Sequence, residues 1–156
     1  MSAAVATGSF ILYSVITGFV LSSIFFAFTE SSIASTFFIT GGTFAFMSIL
    51  GYYTKTDLTS FGRILMMALV GLIIATVVNM FVGGNSGTLY WITTYAGVLI
   101  FTGLVAYDTQ KIKEMNIIGN EGTEEDKKEA ILGALSLYLD FINLFLFMLR
   151  IFGDRK

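Results

Sequence analysis

The 156-residue chain is 55% hydrophobic and only 13% charged, with a mean hydropathy of +0.80, whereas a soluble domain carries about 25% charged residues. A net charge of −2, without a basic patch to neutralise several phosphates, gives no reason to expect a nucleic-acid partner. With no Cys and no His, disulfides, zinc sites and Ser-His or Cys-His catalysis are excluded as well.

Five apolar runs are each long enough to cross a bilayer, which takes about 20 residues for roughly 30 Å of hydrocarbon. The first runs from about Thr7 to Phe28 and stops at Thr29-Glu30-Ser31-Ser32. It reads as a span rather than a signal peptide, because it is too long and no basic region precedes it. The second runs from about Ile33 to Tyr53, before Lys55-Thr56-Asp57. The third covers about 61–82 and ends in a glycine-rich turn at Gly83-Gly84-Asn85-Ser86-Gly87. The fourth covers about 88–108 and the fifth about 130–152, with a polar loop at 109–129 between them. Mixed charges through Glu124-Glu125-Asp126-Lys127-Lys128-Glu129 mark that stretch as a solvated loop or short surface helix. Outer-membrane strands are about ten residues long and alternate in polarity; these runs are longer and do not. The expectation is a single all-α, polytopic membrane domain, with helix breaks at Gly or Ser because Pro is absent.

From Met1 through Tyr107 the only formal charges are Glu30, Lys55, Asp57 and Arg63, all at the edges of apolar runs. If every segment spans, Lys55, Arg63, Lys111, Lys113, Lys127 and Lys128 share one side, which the positive-inside rule assigns to the cytoplasm. Arg155 and Lys156 then fall outside, against the rule. A re-entrant fifth segment is thus the rival to a full crossing, and the count of basic residues favours crossing.

Small residues recur at helical spacing in the first three spans: Ser14, Gly18 and Ser22; Thr40, Gly41, Ala45 and Ser48; Ala68, Gly71, Ala75 and Asn79. Such stripes let helix backbones approach in lipid, and they predict bundle packing. The fifth span differs. Steps of three and four place Gly133, Ser136, Asp140, Asn143, Phe147 and Arg150 on one face, with a carboxylate at its centre. An ionised acid at mid-bilayer costs at least ~2.5–3.5 kcal/mol, so Asp140 faces protein or a water-filled cavity. Arg150 is ten residues away, roughly 15 Å along the helix, and is too far to be its counter-ion. Asp108, in Tyr107-Asp108-Thr109-Gln110, is the candidate partner. By position alone it reads equally as an interfacial acid, as does Glu30. If the fourth and fifth spans are antiparallel neighbours, the two carboxyls would share a proton and titrate as a pair. The glycines at 83–87 lack the Lys-Ser/Thr of a phosphate loop.

The tail, Ala134-Leu135-Ser136-Leu137-Tyr138-Leu139-Asp140-Phe141-Ile142-Asn143-Leu144-Phe145 with Leu149-Arg150 and Gly153, resembles the closing helix of the transmembrane Bax inhibitor motif family. Ala106-Tyr107-Asp108-Thr109-Gln110, Thr54-Lys55-Thr56-Asp57-Leu58 and the segment 18–23 resemble it too, so the likeness covers essentially the whole chain. The resemblance implies a bundle of about five of the family's seven transmembrane helices, bacterial in type, with the last helix central. It also implies a pH-sensitive Ca²⁺ leak channel of the bacterial cell membrane. Asp108 and Asp140 would be its proton-sensing pair and Ca²⁺-attracting carboxylates, with Ser136, Asn143 and Tyr107 as supporting polar residues. No resident cofactor is implied, Ca²⁺ being the transported ion, and lipid, calcium ions and protons are the expected partners. No enzymatic activity is expected; intramembrane proteases also use two aspartates, but the surrounding motifs point elsewhere. The alternative is a non-conducting regulator that binds a cell-death factor or a membrane protease, or that self-associates. Aligned on these motifs, the chain corresponds to the third family helix onward. That predicts a fragment or truncated product, or a wall completed by another copy, without the basic residue that the family sets against its acids.

Overall fold

The computed structural model describes residues 1–82, 87–115 and 122–156; the expected glycine turn at 83–86 and part of the polar loop lie outside them. The described residues form helices α1 (Ala3–Leu21), α2 (Ile24–Ala27), α3 (Glu30–Tyr53), α4 (Thr59–Phe81), α5 (Gly87–Met115) and α6 (Glu124–Phe152). No strand occurs among them beyond one isolated bridge, Phe28 with Arg155. α1 and α2 make one membrane-length unit, and with α3 to α6 they give five helices long and apolar enough to cross a bilayer. The break between α1 and α2 is at Ser22-Ser23, where Ser22 Oγ donates to the Phe19 carbonyl at 2.6 Å and draws one bond out of the helical ladder.

Both helices around the polar stretch reach further than the apolar runs predict. α6 begins at Glu124 because Thr123 caps it, its hydroxyl accepting from the Asp126 N–H at 3.2 Å. Glu124, Glu125 and Asp126 fill the first turn, where carboxylates complement the helix dipole. Gly122 enters the cap with φ +79, a conformation that suits glycine. At the other side of the stretch, Gln110 and Lys113 hold the extension of α5 in place. Gln110 accepts from the Leu58 N–H at 2.8 Å and donates to the Thr56 carbonyl at 2.7 Å. Lys113 Nζ donates to the Tyr52 carbonyl at 2.6 Å and sits over the Tyr52 ring. The end of α5 thus grips the α3–α4 connection. Asp57, in that connection, accepts from the Thr59 hydroxyl and N–H, and these bonds hold its carboxyl below the ordinary carboxylate range.

α5 packs against α3, α4 and α6, and α6 against α1, α3 and α5. These two helices are the centre, as the resemblance implied for the last one. Leu65, Leu72, Ile100, Phe101, Leu104, Leu144 and Met148 form the main core, and Ile33, Phe145 and Leu149 a second. The outer helices turn apolar surface outward: Phe19, Phe26 and Phe81 are each more than 80% exposed. That arrangement is stable where the surrounding medium is hydrocarbon.

The small-residue stripes pack only in part as expected. A Cβ added at Gly18, Gly41 or Gly71 would meet nothing within 4 Å, so the glycines of those stripes have open space beside them. Thr40 of the second stripe is fully buried, with its hydroxyl 3.4 Å from the Met148 sulfur. Close approach is made by other glycines. At Gly51 a Cβ would overlap the Ala106 backbone, and at Gly62 the Tyr107 ring. The missing Cβ is needed where α3 and α4 press on α5.

α6 crosses in full. Its N-terminal end meets the start of α1, where the Ala3 N–H donates to Glu124 at 2.8 Å. Its far end meets the α2–α3 turn, where the Thr29 N–H donates to the Asp154 carbonyl at 2.9 Å and the Lys156 N–H to the Ala27 carbonyl at 3.0 Å. A re-entrant last segment is incompatible with these contacts.

Two predictions follow from this packing. Since the chain has no Cys, single cysteines at Lys55 and Lys156 are expected to label from opposite faces of sealed vesicles with an impermeant thiol reagent; labelling from one face would contradict the full crossing. Gly51→Ala is expected to lower stability in detergent by about 1–3 kcal/mol through overpacking, read from thermal melts, while Gly18→Ala, on an open helix face, does not lower it.

Candidate functional site

Asp140 lies midway along α6 and is 5% exposed. Its Oδ2 is buried and has no hydrogen-bond partner among the described residues. Asp108, from the last third of α5, stands beside it, close enough for the two carboxyls to share a hydrogen bond. The antiparallel pairing of α5 and α6 makes this possible, and it is tight on both sides of the acids. A Cβ at Gly97 would fall 2.6 Å from the Phe147 ring, and one at Gly133 2.8 Å from Ile112.

Both carboxyls line a cavity of about 530 Å³ bounded by α4, α5 and α6. Ser136, Asn143 and Tyr107 line it too, so all five residues singled out from the sequence meet in one space. Ser136 donates its hydroxyl hydrogen to the Leu132 carbonyl at 3.1 Å, and Asn143 Nδ2 donates to the Leu139 carbonyl at 2.8 Å. With those hydrogens committed to their own helix, the two side chains keep oxygen lone pairs, and Asn143 one further N–H, to offer the cavity. Two carboxyls and two such oxygens make a lining suited to cations and hydrogen-bond donors. No group of three or more His, Cys, Asp or Glu able to hold a metal exists among the described residues. Ca²⁺ takes six to eight oxygen ligands when held firmly, more than the two carboxyls of this lining supply.

Arg150 is not the counter-ion. Its guanidinium stacks 4.9 Å from the Phe147 ring centre and 5.3 Å from that of Tyr90. Glu30 is exposed in the first turn of α3, away from the cavity lining. The residue that sequence reading passed over is Lys111, which lines the cavity one turn beyond Asp108. Its signal was the Asp108–Lys111 spacing of three on one helix, which puts both on one face. Lys111 is exposed, placing an ammonium at the mouth of the cavity and not within it.

A bundle of five membrane-length helices with a buried acid, Asp140, beside a half-buried one, Asp108, between its central pair defines a polytopic α-helical membrane protein. The chain belongs to the family described as "Inhibitor of apoptosis-promoting Bax1", which matches residues 1–156. It is 54% identical over 157 residues to "Inner membrane protein YbhL" of Escherichia coli K12, covering 100% of this chain and 66% of that protein. It is 50% identical to an uncharacterized protein of Borreliella burgdorferi, with 100% of this chain and 66% of that one covered. An uncharacterized membrane protein of Streptococcus pyogenes serotype M6 is 40% identical over 92% of this chain and 61% of its own length. The chain therefore spans about two thirds of the length of the curated relatives it matches, and its character is that of a multi-pass bacterial membrane protein.

Burying the Asp140 carboxyl costs the fold stability. Asp140→Leu is expected to raise stability in detergent by about 1–3 kcal/mol, the order of the cost of burying a polar group. Unchanged or lowered thermal stability would contradict the burial described here.

Proposed function

We propose that the protein is a pH-sensitive cation leak of the bacterial membrane, with Ca²⁺ as the transported ion and Asp108 and Asp140 as the proton-sharing gate. The observation that carries this reading is the buried Asp140 carboxyl beside the Asp108 carboxyl, on a cavity that both of them line. A carboxyl pair holding one proton is drawn together by a shared hydrogen bond. A pair holding none repels itself, and in low dielectric that repulsion is strong. The difference acts directly between α5 and α6, the two central helices, so proton occupancy becomes helix separation. Carboxylates in the middle of a bilayer also lower the barrier for a cation entering a low-dielectric region. Ser136, Asn143 and Tyr107 support the path with polar atoms along its wall.

A second reading is supported by the family's description, which names inhibition of a protein, Bax1. The chain would then be a non-conducting regulator that binds another membrane protein, its acids serving structure. Flux separates the two. Purified protein in liposomes is expected to pass Ca²⁺ at a rate that depends on pH, and Asp140→Asn, which keeps the shape but removes the titration, is expected to flatten that dependence. An unchanged pH profile in the variant overturns the gate, and absence of flux with a co-purifying membrane protein favours the regulator.

A further inference from the structure

Gln110 is 7% exposed, although glutamine is a residue that proteins mostly leave at the surface. Both ends of its amide are spent on the backbone of a connection more than fifty residues earlier. Oε1 accepts from the Leu58 N–H at 2.8 Å, and Nε2 donates to the Thr56 carbonyl at 2.7 Å. Three further contacts bear on the same stretch of α5. Gly51 lies on the Ala106 backbone, Gly62 on the Tyr107 ring, and Lys113 on the carbonyl and ring of Tyr52. Each of these ties joins α5 to α3, to α4 or to the connection between them. Residues 106–113 are therefore fastened to the α3–α4 hairpin, and Asp108 lies within the fastened stretch. Asp140 does not share these ties: α6 meets α3 through Phe37, Thr40 and Phe44. The two acids are thus held by separate sets of contacts. Two residues turn an α-helix by about 200°, so Gln110 anchors the face of α5 opposite to Asp108. Two directional bonds on that far face resist rolling of α5 about its axis, and the roll decides where the Asp108 carboxyl points.

We propose that Gln110 is the positioning residue of the acid pair. Its bonds to the α3–α4 connection fix the roll of α5 and so the reach of Asp108 toward Asp140. The inference rests on the proposed gate and adds its control: the α3–α4 connection sets the pH at which the gate responds. Few charged groups face Asp108. Asp140 comes from α6 and Lys111 stands at the cavity mouth, while α4 contributes only uncharged side chains to the cavity and α3 contributes none. Lys55 and Asp57 are exposed in the connection, on the Gln110 side of α5. The separation of the two carboxyls is accordingly what a change of roll alters.

The test is the pH profile of Ca²⁺ flux in liposomes holding the full chain. Q110M keeps the length of the side chain and loses both bonds; L58P removes only the N–H that donates to Gln110. Each is expected to move the pH of half-maximal flux by about twofold to tenfold in proton concentration, the factor that one net hydrogen bond supplies. The double variant is expected to move it no further than Q110M alone, since both changes act through one contact. G153A serves as the control for lost stability. Its Cβ would meet the Leu149 carbonyl and the Phe28 ring, at the end of α6 remote from Gln110, so it is expected to melt earlier with an unmoved midpoint. A midpoint left in place by Q110M and L58P, or moved as far by G153A, overturns the inference and leaves the gate standing. Wild-type flux without pH dependence removes the gate and the inference together. If Q110M does not insert, L58P decides by the same criterion.

Discussion

The close packing of α5 on α6 is the contact on which the rest of the structure depends. It sets two carboxyls side by side in a medium that penalises each of them separately. Among the described residues no other charge enters the core: Arg150 is engaged with aromatic rings, and Lys111 stays exposed. The helices can approach only because Gly97 and Gly133 have no side chain at the points where Phe147 and Ile112 cross them. Backbone proximity and acid proximity are one feature seen at two scales. A group buried at such cost persists in a fold when it serves something other than stability.

The surrounding helices complete the setting. α3 backs the central pair from one side, pressing Gly51 against Ala106, two residues before Asp108. The α3–α4 connection is tied to Gln110, two residues after it. Asp108 is thus held between two anchor points on α5, one apolar and one hydrogen-bonded. α4 leans on α5 without closing over α6, which leaves the cavity. The outward faces of α1 and α4 are apolar nearly throughout, and lipid is the solvent they suit.

The sequence made some of this legible and hid the rest for physical reasons. Five spans follow from run length because hydrocarbon thickness is a hard constraint. Asp140 stood out from spacing alone, since an acid on a polar stripe in mid-span has few explanations. Asp108 did not, because an acid at the end of an apolar run is ordinary until a neighbour is known, and only the family motif raised it. The start of α6 was missed through attention to hydrophobicity; Thr123 with three acids behind it is a helix-start signal readable in the sequence. The small-residue stripes misled because spacing shows which glycines share a face but not whether a neighbour covers that face. Gln110 and Lys113 are polar residues in a polar stretch, and their bonds to a connection more than fifty residues away leave no local trace.

The proposed gate requires Asp108 and Asp140 to hold a proton jointly. Infrared difference spectra between acid and alkaline pH, taken on protein reconstituted in lipid, report protonated carboxyls directly through their carbonyl stretch. The account predicts one band that belongs to the pair, so that Asp108→Asn and Asp140→Asn each alter the whole signal. Two independent bands, each lost in one variant and untouched in the other, would show two separate acids and contradict it.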